Sequence, residues 1–261
     1  METRTKCSCM NLKSVYLFLC MLLFASLIEA QDNNELLAKG MQYKKELNYK
    51  EGIAVFQRLL KSDSSNAQYL QNASFFYCRY GKFLPENQQM NYYKIAEYLA
   101  SKSLKIANGD AEGHYVYALA LGRINENAST KQKITNAKLI KSELDLALKI
   151  NPKHAGAWHI LGRWHRTIAG FSSIEKLAIN TLFGGVPPGG SYEDAVKCFT
   201  QAVIIEPKYK MHQYELANTY YEMGKKAEAK IWLSKAMALS AVSIDDRTAD
   251  EKCKELQTKL Q

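Results

Sequence analysis

The chain has 261 residues, 47% hydrophobic and 23% charged, a balance that suits a folded protein and excludes a fibrous or low-complexity one. Only 5 Pro and 14 Gly argue against long disordered tracts. A formal charge of +9 permits attraction to acidic partners or anionic lipid surfaces without naming one.

Residues 1–30 differ from the rest. Arg4, Lys6 and Lys13 precede an uncharged 14-residue run from Val15 to Ile28, and Ala30 leads into polar Gln31-Asp32-Asn33-Asn34. This order predicts a secretory signal peptide cut after Ala30, hence an exported protein, periplasmic or secreted. The alternative is an uncleaved anchor, although fourteen helical residues span only about 21 Å of a roughly 30 Å hydrocarbon core. Loss of residues 1–30 removes three basic and two acidic residues and lowers the charge from +9 to +8. Cys78, Cys198 and Cys253 then remain. Their odd number and wide spacing predict buried single thiols, with neither a disulfide framework nor a zinc site.

From residue 31 onward apolar and small residues recur at helical spacing, in pairs of helices. In the first pair, Leu36, Gly40 and Tyr43 share a face, as do Tyr49, Gly52, Phe56 and Leu59; Gly40 and Gly52 are 12 residues apart. The small residues let antiparallel helices approach, and the aromatic rings fill what remains. Tyr69, Ala73 and Phe76 open the second pair, and Ala96, Ala100 and Ser103 continue it. Ala73 and Ala96 are 23 apart, so Gly81 to Gln89, with Pro85 inside, is expected as an extended loop. His114, Tyr117, Ala118 and Leu121 precede Ile140, Leu144 and Ala147 in the third pair. There the surplus, Ser129 to Lys141, has helical composition and should lengthen the second helix.

The fourth pair is the most distinctive. Trp158, Leu161 and Gly162 are expected in the core from its first helix, Ala195, Phe199 and Ala202 from its second, and Pro207 ends it. Gly162 and Ala195 are 33 apart. Within that insert Ser172 and Glu175 form a capping box, and Ile174, Leu177, Ala178 and Leu182 recur at helical spacing. Gly184 to Gly190 then breaks the helix, and Ser191 can cap the next one. The fifth pair is regular, with Ala217 and Ala229 12 apart. Thr248 and Glu251 fit another capping box, and Cys253, Leu256 and Leu260 fall on one face of a last helix expected to seal the stack. The pattern is that of an all-α tetratricopeptide repeat, a right-handed helical solenoid of about five units over residues 31–243. It carries inserts in units two, three and four, and a capping helix over 244–261.

In such a solenoid one face of each first helix lines the concave surface. The register assigns Tyr77 to it in unit two, and Tyr115, Leu119 and Arg123 in unit three. Unit four supplies His159, Arg163 and Arg166, and unit five Asn218 and Tyr221. Aromatic bodies beside guanidinium groups suit a carboxylate or phosphate, gripped in bidentate fashion. The functional reading is a groove for an acidic peptide end or a lipid headgroup; the alternative is that these arginines pair with local Glu and keep the groove soluble. Lys131, Lys138 and Lys141 lie on one side of a helix, as an anionic-surface contact or as a solvated basic face. Aromatics do not interleave with them, which disfavours nucleic acid. His154, His159 and His165 are spaced wrongly for a metal on one helix, and His165 is expected in the core. The chain carries no nucleophile elbow, phosphate loop or paired-carboxylate signature, and no cofactor is implied. Asn72-Ala73-Ser74 and Asn127-Ala128-Ser129 fit the glycosylation pattern.

From about Gly109 to Leu239 the chain resembles the regulator of microtubule dynamics proteins, a divergent tetratricopeptide family. The resemblance rests on Ala128 to Ala137, Leu148 to Lys153, Leu161-Gly162-Arg163-Trp164, and Ala178 to Phe183 followed by Pro187-Pro188 and Ser191-Tyr192-Glu193. It implies a non-enzymatic helical scaffold. Animal members are associated with microtubules and organelle contact sites, and the helical domain is linked to phospholipid binding. A phospholipid or fatty acid is therefore the alternative ligand to a protein or peptide. The leader departs from the family, so the cellular role does not carry over with the fold.

Overall fold

The structure, a computed structural model, describes residues 31–241 and 243–261; the signal peptide expected over residues 1–30 lies outside them. Among the described residues there are twelve helices and no strand. Helix α1 covers residues 31–46. It is followed by α2 (Tyr49–Ser62), α3 (Ala67–Gly81), α4 (Glu86–Ile106), α5 (Ala111–Glu126) and α6 (Thr130–Ile150). Then come α7 (Ala155–Ala169), α8 (Ser173–Leu182), α9 (Tyr192–Ile205), α10 (Lys210–Glu222), α11 (Lys226–Ala238) and α12 (Ile244–Lys259). No helix of the described residues is long and apolar enough to cross a membrane.

Local chemistry sets the starts. Asn66, Asp110, Ser129, Ser172 and Ser191 each accept a backbone N–H from the first turn of the helix they open. Side-chain size sets the pairing. A methyl group placed on Gly52 would meet the Phe76 ring at 2.1 Å, and one on Gly162 would meet Phe199 at 2.9 Å. Gly40 is as close to Phe56, at 2.6 Å. Phe56, Ala73, Ala118, Ala195, Phe199, Ala202, Ala217 and Ala229 are fully buried, and Leu161 nearly so. One continuous core runs through the first four pairs, and a smaller one joins α10, α11 and α12. Cys78, Cys198 and Cys253 are free and buried, and burial pushes the Cys78 and Cys198 thiols up to about 12.

Four expectations are corrected. The surplus of unit two is not an extended loop: a short turn at residues 82–85 gives way to the 21-residue α4, because Pro85 suits the position before a helix start. The long second helix expected for unit three is present as α6, also 21 residues. Trp158 is only partly buried; its indole N–H donates to the Pro152 carbonyl at 2.8 Å, which tips the ring over the preceding turn. The deeply buried tryptophan of α7 is Trp164, which donates to Ala137 across the helix pair. The capping box of the last helix is Ser243 with Asp246, not Thr248 with Glu251; Thr248 lies a turn inside, its hydroxyl on the Ile244 carbonyl. Finally, Asn72 of the first glycosylation pattern is buried in α3, where it donates to Gln68 and accepts from Lys44.

Helix α12 does more than seal the stack. Ala249, Cys253 and Leu256 pack with Leu260 against α10 and α11. Its start reaches back across the concave side to the first two units. There the Asp245 carboxylate takes hydrogen bonds from Tyr49 of α2 and Arg79 of α3.

Candidate functional site

The concave side holds a cavity of about 830 Å³, walled by α1, α3, α5, α7 and the start of α10, with Asp246 of α12 at one edge. Its wall carries seven Lys or Arg side chains against three Asp or Glu. Five expected residues come together here: Tyr115, Leu119, Arg123, His159 and Arg163. They sit at four-residue steps on α5 and α7, so each helix presents one stripe to the groove.

The other four lie elsewhere. Tyr77 takes a hydrogen bond from Gln57 and packs on Tyr92; Phe75 and Arg79, two residues either side of it, face the groove instead. Arg166 turns to α10, where it pairs with Glu215 at 2.6 Å and Glu222 at 3.6 Å. Asn218 donates to Glu222 within α10. Tyr221 packs against the core shared with α12. Helix α12 packs on α10 beside Tyr221, while Asn218 is held by Glu222, the partner of Arg166.

Three polar clusters line the groove. In the first, Arg79 donates to Tyr49, Tyr209 and Asp245. Lys82 lies 3.7 Å from the same carboxylate. Burial works to raise the Asp245 carboxyl, but the Arg79 charge and the Tyr49 hydrogen bond hold it below the ordinary range. Burial pushes the Lys82 ammonium down to about 8. In the second, Glu112 accepts from Lys44 at 2.7 Å and meets His154 Nε2 at 3.1 Å. Against the effect of burial, these partners bring its carboxyl down to about 2. In the third, His159 Nδ1 and His212 Nδ1 are 2.9 Å apart, and His212 Nε2 is 3.2 Å from Glu206. One imidazole nitrogen must donate to the other, so the contact holds at most one proton. Burial lowers both imidazoles, His159 the further, aided by the facing His212 and by Arg163.

Two arginines keep hydrogen-bonding capacity that local carboxylates do not use. Arg163 has its nearest carboxylate, Glu215, only at 4.0 Å. Arg123 donates to Glu126 at 2.8 Å through one nitrogen, while its Nε has no partner. Both also border a second cavity of about 390 Å³ between α5, α6, α7 and α8. Its wall is largely apolar, including Leu119, Ile134, Ile140, Trp164, Ile168, Phe171 and Ile179. The two spaces thus meet at a pair of guanidinium groups, an arrangement that can hold an anionic group with an apolar body beside it.

The sequence reading missed Arg79, Tyr49, His212 and Asp245. The four-residue step from Phe75 to Arg79 is a usable signal for Arg79. Nothing local points to Asp245, which reaches the site only because α12 folds back.

The likenesses to known proteins agree with this architecture. A family model described as regulator of microtubule dynamics protein 1-3 matches residues 31–261. The chain is 31% identical over 163 residues to regulator of microtubule dynamics protein 1 of Bos taurus, covering 62% of this chain and 51% of the relative. It is 30% identical over 176 residues to the Rattus norvegicus protein of that name, covering 67% and 56%. The chain therefore spans about half the length of the curated relatives it matches. A thermophilic tetratricopeptide protein of Thermus thermophilus shares the fold, with a TM-score of 0.60 at 18% identity over 84% of this chain and 98% of that one. The family match extends the resemblance seen at Gly109–Leu239 to every described helix, and the chain belongs to the regulator of microtubule dynamics protein 1-3 family.

Proposed function

We propose that this chain is a non-catalytic tetratricopeptide scaffold that captures an acidic protein segment in its concave groove. The observation that carries this is the charge of the wall: seven basic against three acidic side chains around about 830 Å³ of open space. The fold supplies a precedent, since the acidic start of α12 already lies in the groove with Asp245 on Arg79. Arg123 and Arg163 are the groups that would grip a further carboxylate. Export through residues 1–30 belongs to the same proposal, so the microtubule role in the relatives' names is not transferred. A photoreactive amino acid at Ile160, which borders both cavities, tests the reading. Crosslinked peptides rich in Asp and Glu, lost on Arg123→Glu with Arg163→Glu, support it. Crosslinks indifferent to that charge reversal would sink it.

A second reading is favoured by the apolar cavity of about 390 Å³, inside the usual range for small-molecule sites. A fatty acid or a phospholipid chain would lie along Trp164, Ile168 and Ile179 with its headgroup at Arg123 and Arg163. Native mass spectrometry of protein purified without denaturation separates the two, since only this reading calls for a co-purifying lipid.

A further inference from the structure

We propose that α8 and the lysines beside it form a docking surface for an anionic lipid bilayer. In this ten-residue helix Ile174 is 81% exposed, Leu177 68% and Leu182 70%. At 100° per residue these three and Ala178 fall within an arc of about 140°. Single exposed apolar residues are ordinary: α4, α6 and α11 carry two large ones each and α9 one, on 13 to 21 residues. Three on ten residues make a stripe.

The stripe is held out firmly. The Ser172–Glu175 capping box fixes the helix start and turns the Glu175 carboxylate back onto Ser172. Ile179 is the one buried residue of α8 and pins the opposite face to the body. The return is fixed by Gly184, Gly185 and Gly189 in the left-handed region, and by Asn180 accepting from Val186.

Charge decides the occupant. Lys138 of α6 reaches the Gly184 carbonyl at the end of α8, and Lys133 stands on the wall of the cavity that Ile179 closes. Lys131 is exposed two turns before Lys138 on the same side of α6, while Lys133 lies on the other edge of that helix. Among the described residues none of these three pairs with a carboxylate, whereas Lys141 on the same helix is paired with Asp145. A protruding apolar ridge flanked by unpaired lysines, on a chain of net charge +9, fits an interfacial helix at an anionic surface. It offers no concave shape for a protein partner to fill. The inference is independent of the groove.

The test is flotation of the full chain with vesicles of phosphatidylcholine alone or with 30% phosphatidylserine. The wild type should float with the anionic vesicles only, and raised salt should release it. Ile174→Asp with Leu177→Asp should lower flotation more than tenfold at unchanged melting temperature, since both side chains are exposed. Lys133→Glu and Lys138→Glu should each cost about fivefold or more. Flotation undiminished in the aspartate variant would assign binding elsewhere in the chain and overturn the proposal. So would a wild type that fails to float, or one that self-associates through the stripe and is made monomeric by the aspartates.

Discussion

The Asp245 carboxylate at the start of the last helix is held by the Arg79 guanidinium of the third, 166 residues earlier in the chain. This pair ties the end of the solenoid to its beginning and sets the outline of the groove. Asp245→Asn would leave a buried guanidinium without its counter-charge, which costs about 3–5 kcal/mol. Urea denaturation measures it; a loss under about 1 kcal/mol would mean that α12 is anchored by its apolar face alone.

Acid should loosen the groove before it reaches the carboxylates. His159 and His212 are held neutral, below their ordinary value of 6.5, by burial, and His159 also by the facing His212, with Arg163, Arg166, Arg79, Glu206 and Glu215 around them. The unfolded chain then binds more protons than the folded one below about pH 6.5, so stability falls as pH falls from 7 towards 5. Glu112, Asp245 and Glu215 are shifted down, so their contributions last to lower pH. Melting temperature against pH should slope in that window, and slope less in His212→Gln, where only the buried His159 is left to charge. A flat wild-type profile would contradict this.

Glycine substitutions should split by sign. Gly52→Ala drives a methyl into the Phe76 ring and should cost about 1–3 kcal/mol. Gly122→Ala, inside α5 with nothing within 4 Å, should stabilise by about 0.5–1 kcal/mol through helix propensity. Chemical denaturation of the two variants compares them directly.

The tryptophans of α7 should differ as well. Trp164→Ala removes a buried ring and its hydrogen bond to Ala137, worth about 3–5 kcal/mol. Trp158→Ala removes a partly buried ring at the edge of the core and should cost less than half of that. Equal losses would place Trp158 back in the core.

What the sequence made legible follows from local rules. Gly40, Gly52, Gly162 and their facing rings are readable because close helix approach demands small residues at fixed spacing. The α8 insert is readable because Ser172, Glu175 and the glycine run punctuate it. On α5 and α7 the groove residues were found because four-residue steps keep one face. On α3 the choice of Tyr77 fell on the opposite face from Arg79, since two residues turn a helix by about 200°. Tyr221 was placed in the groove because nothing local says that α12 packs on α10, and Asn218 because nothing local says that Glu222 engages both it and Arg166. Long-range pairs such as His159 with His212 and Arg79 with Asp245 follow from the curvature of the whole stack, which no short motif encodes.

A concave groove with seven basic and three acidic side chains on its wall should prefer an acidic segment. The most direct measurement is fluorescence anisotropy of a twelve-residue Glu-rich peptide against its Lys-for-Glu counterpart. Saturable binding is expected for the acidic peptide alone, weakened at least tenfold by Arg123→Glu with Arg163→Glu. Equal affinity for both peptides, or binding untouched by the charge reversal, would contradict it.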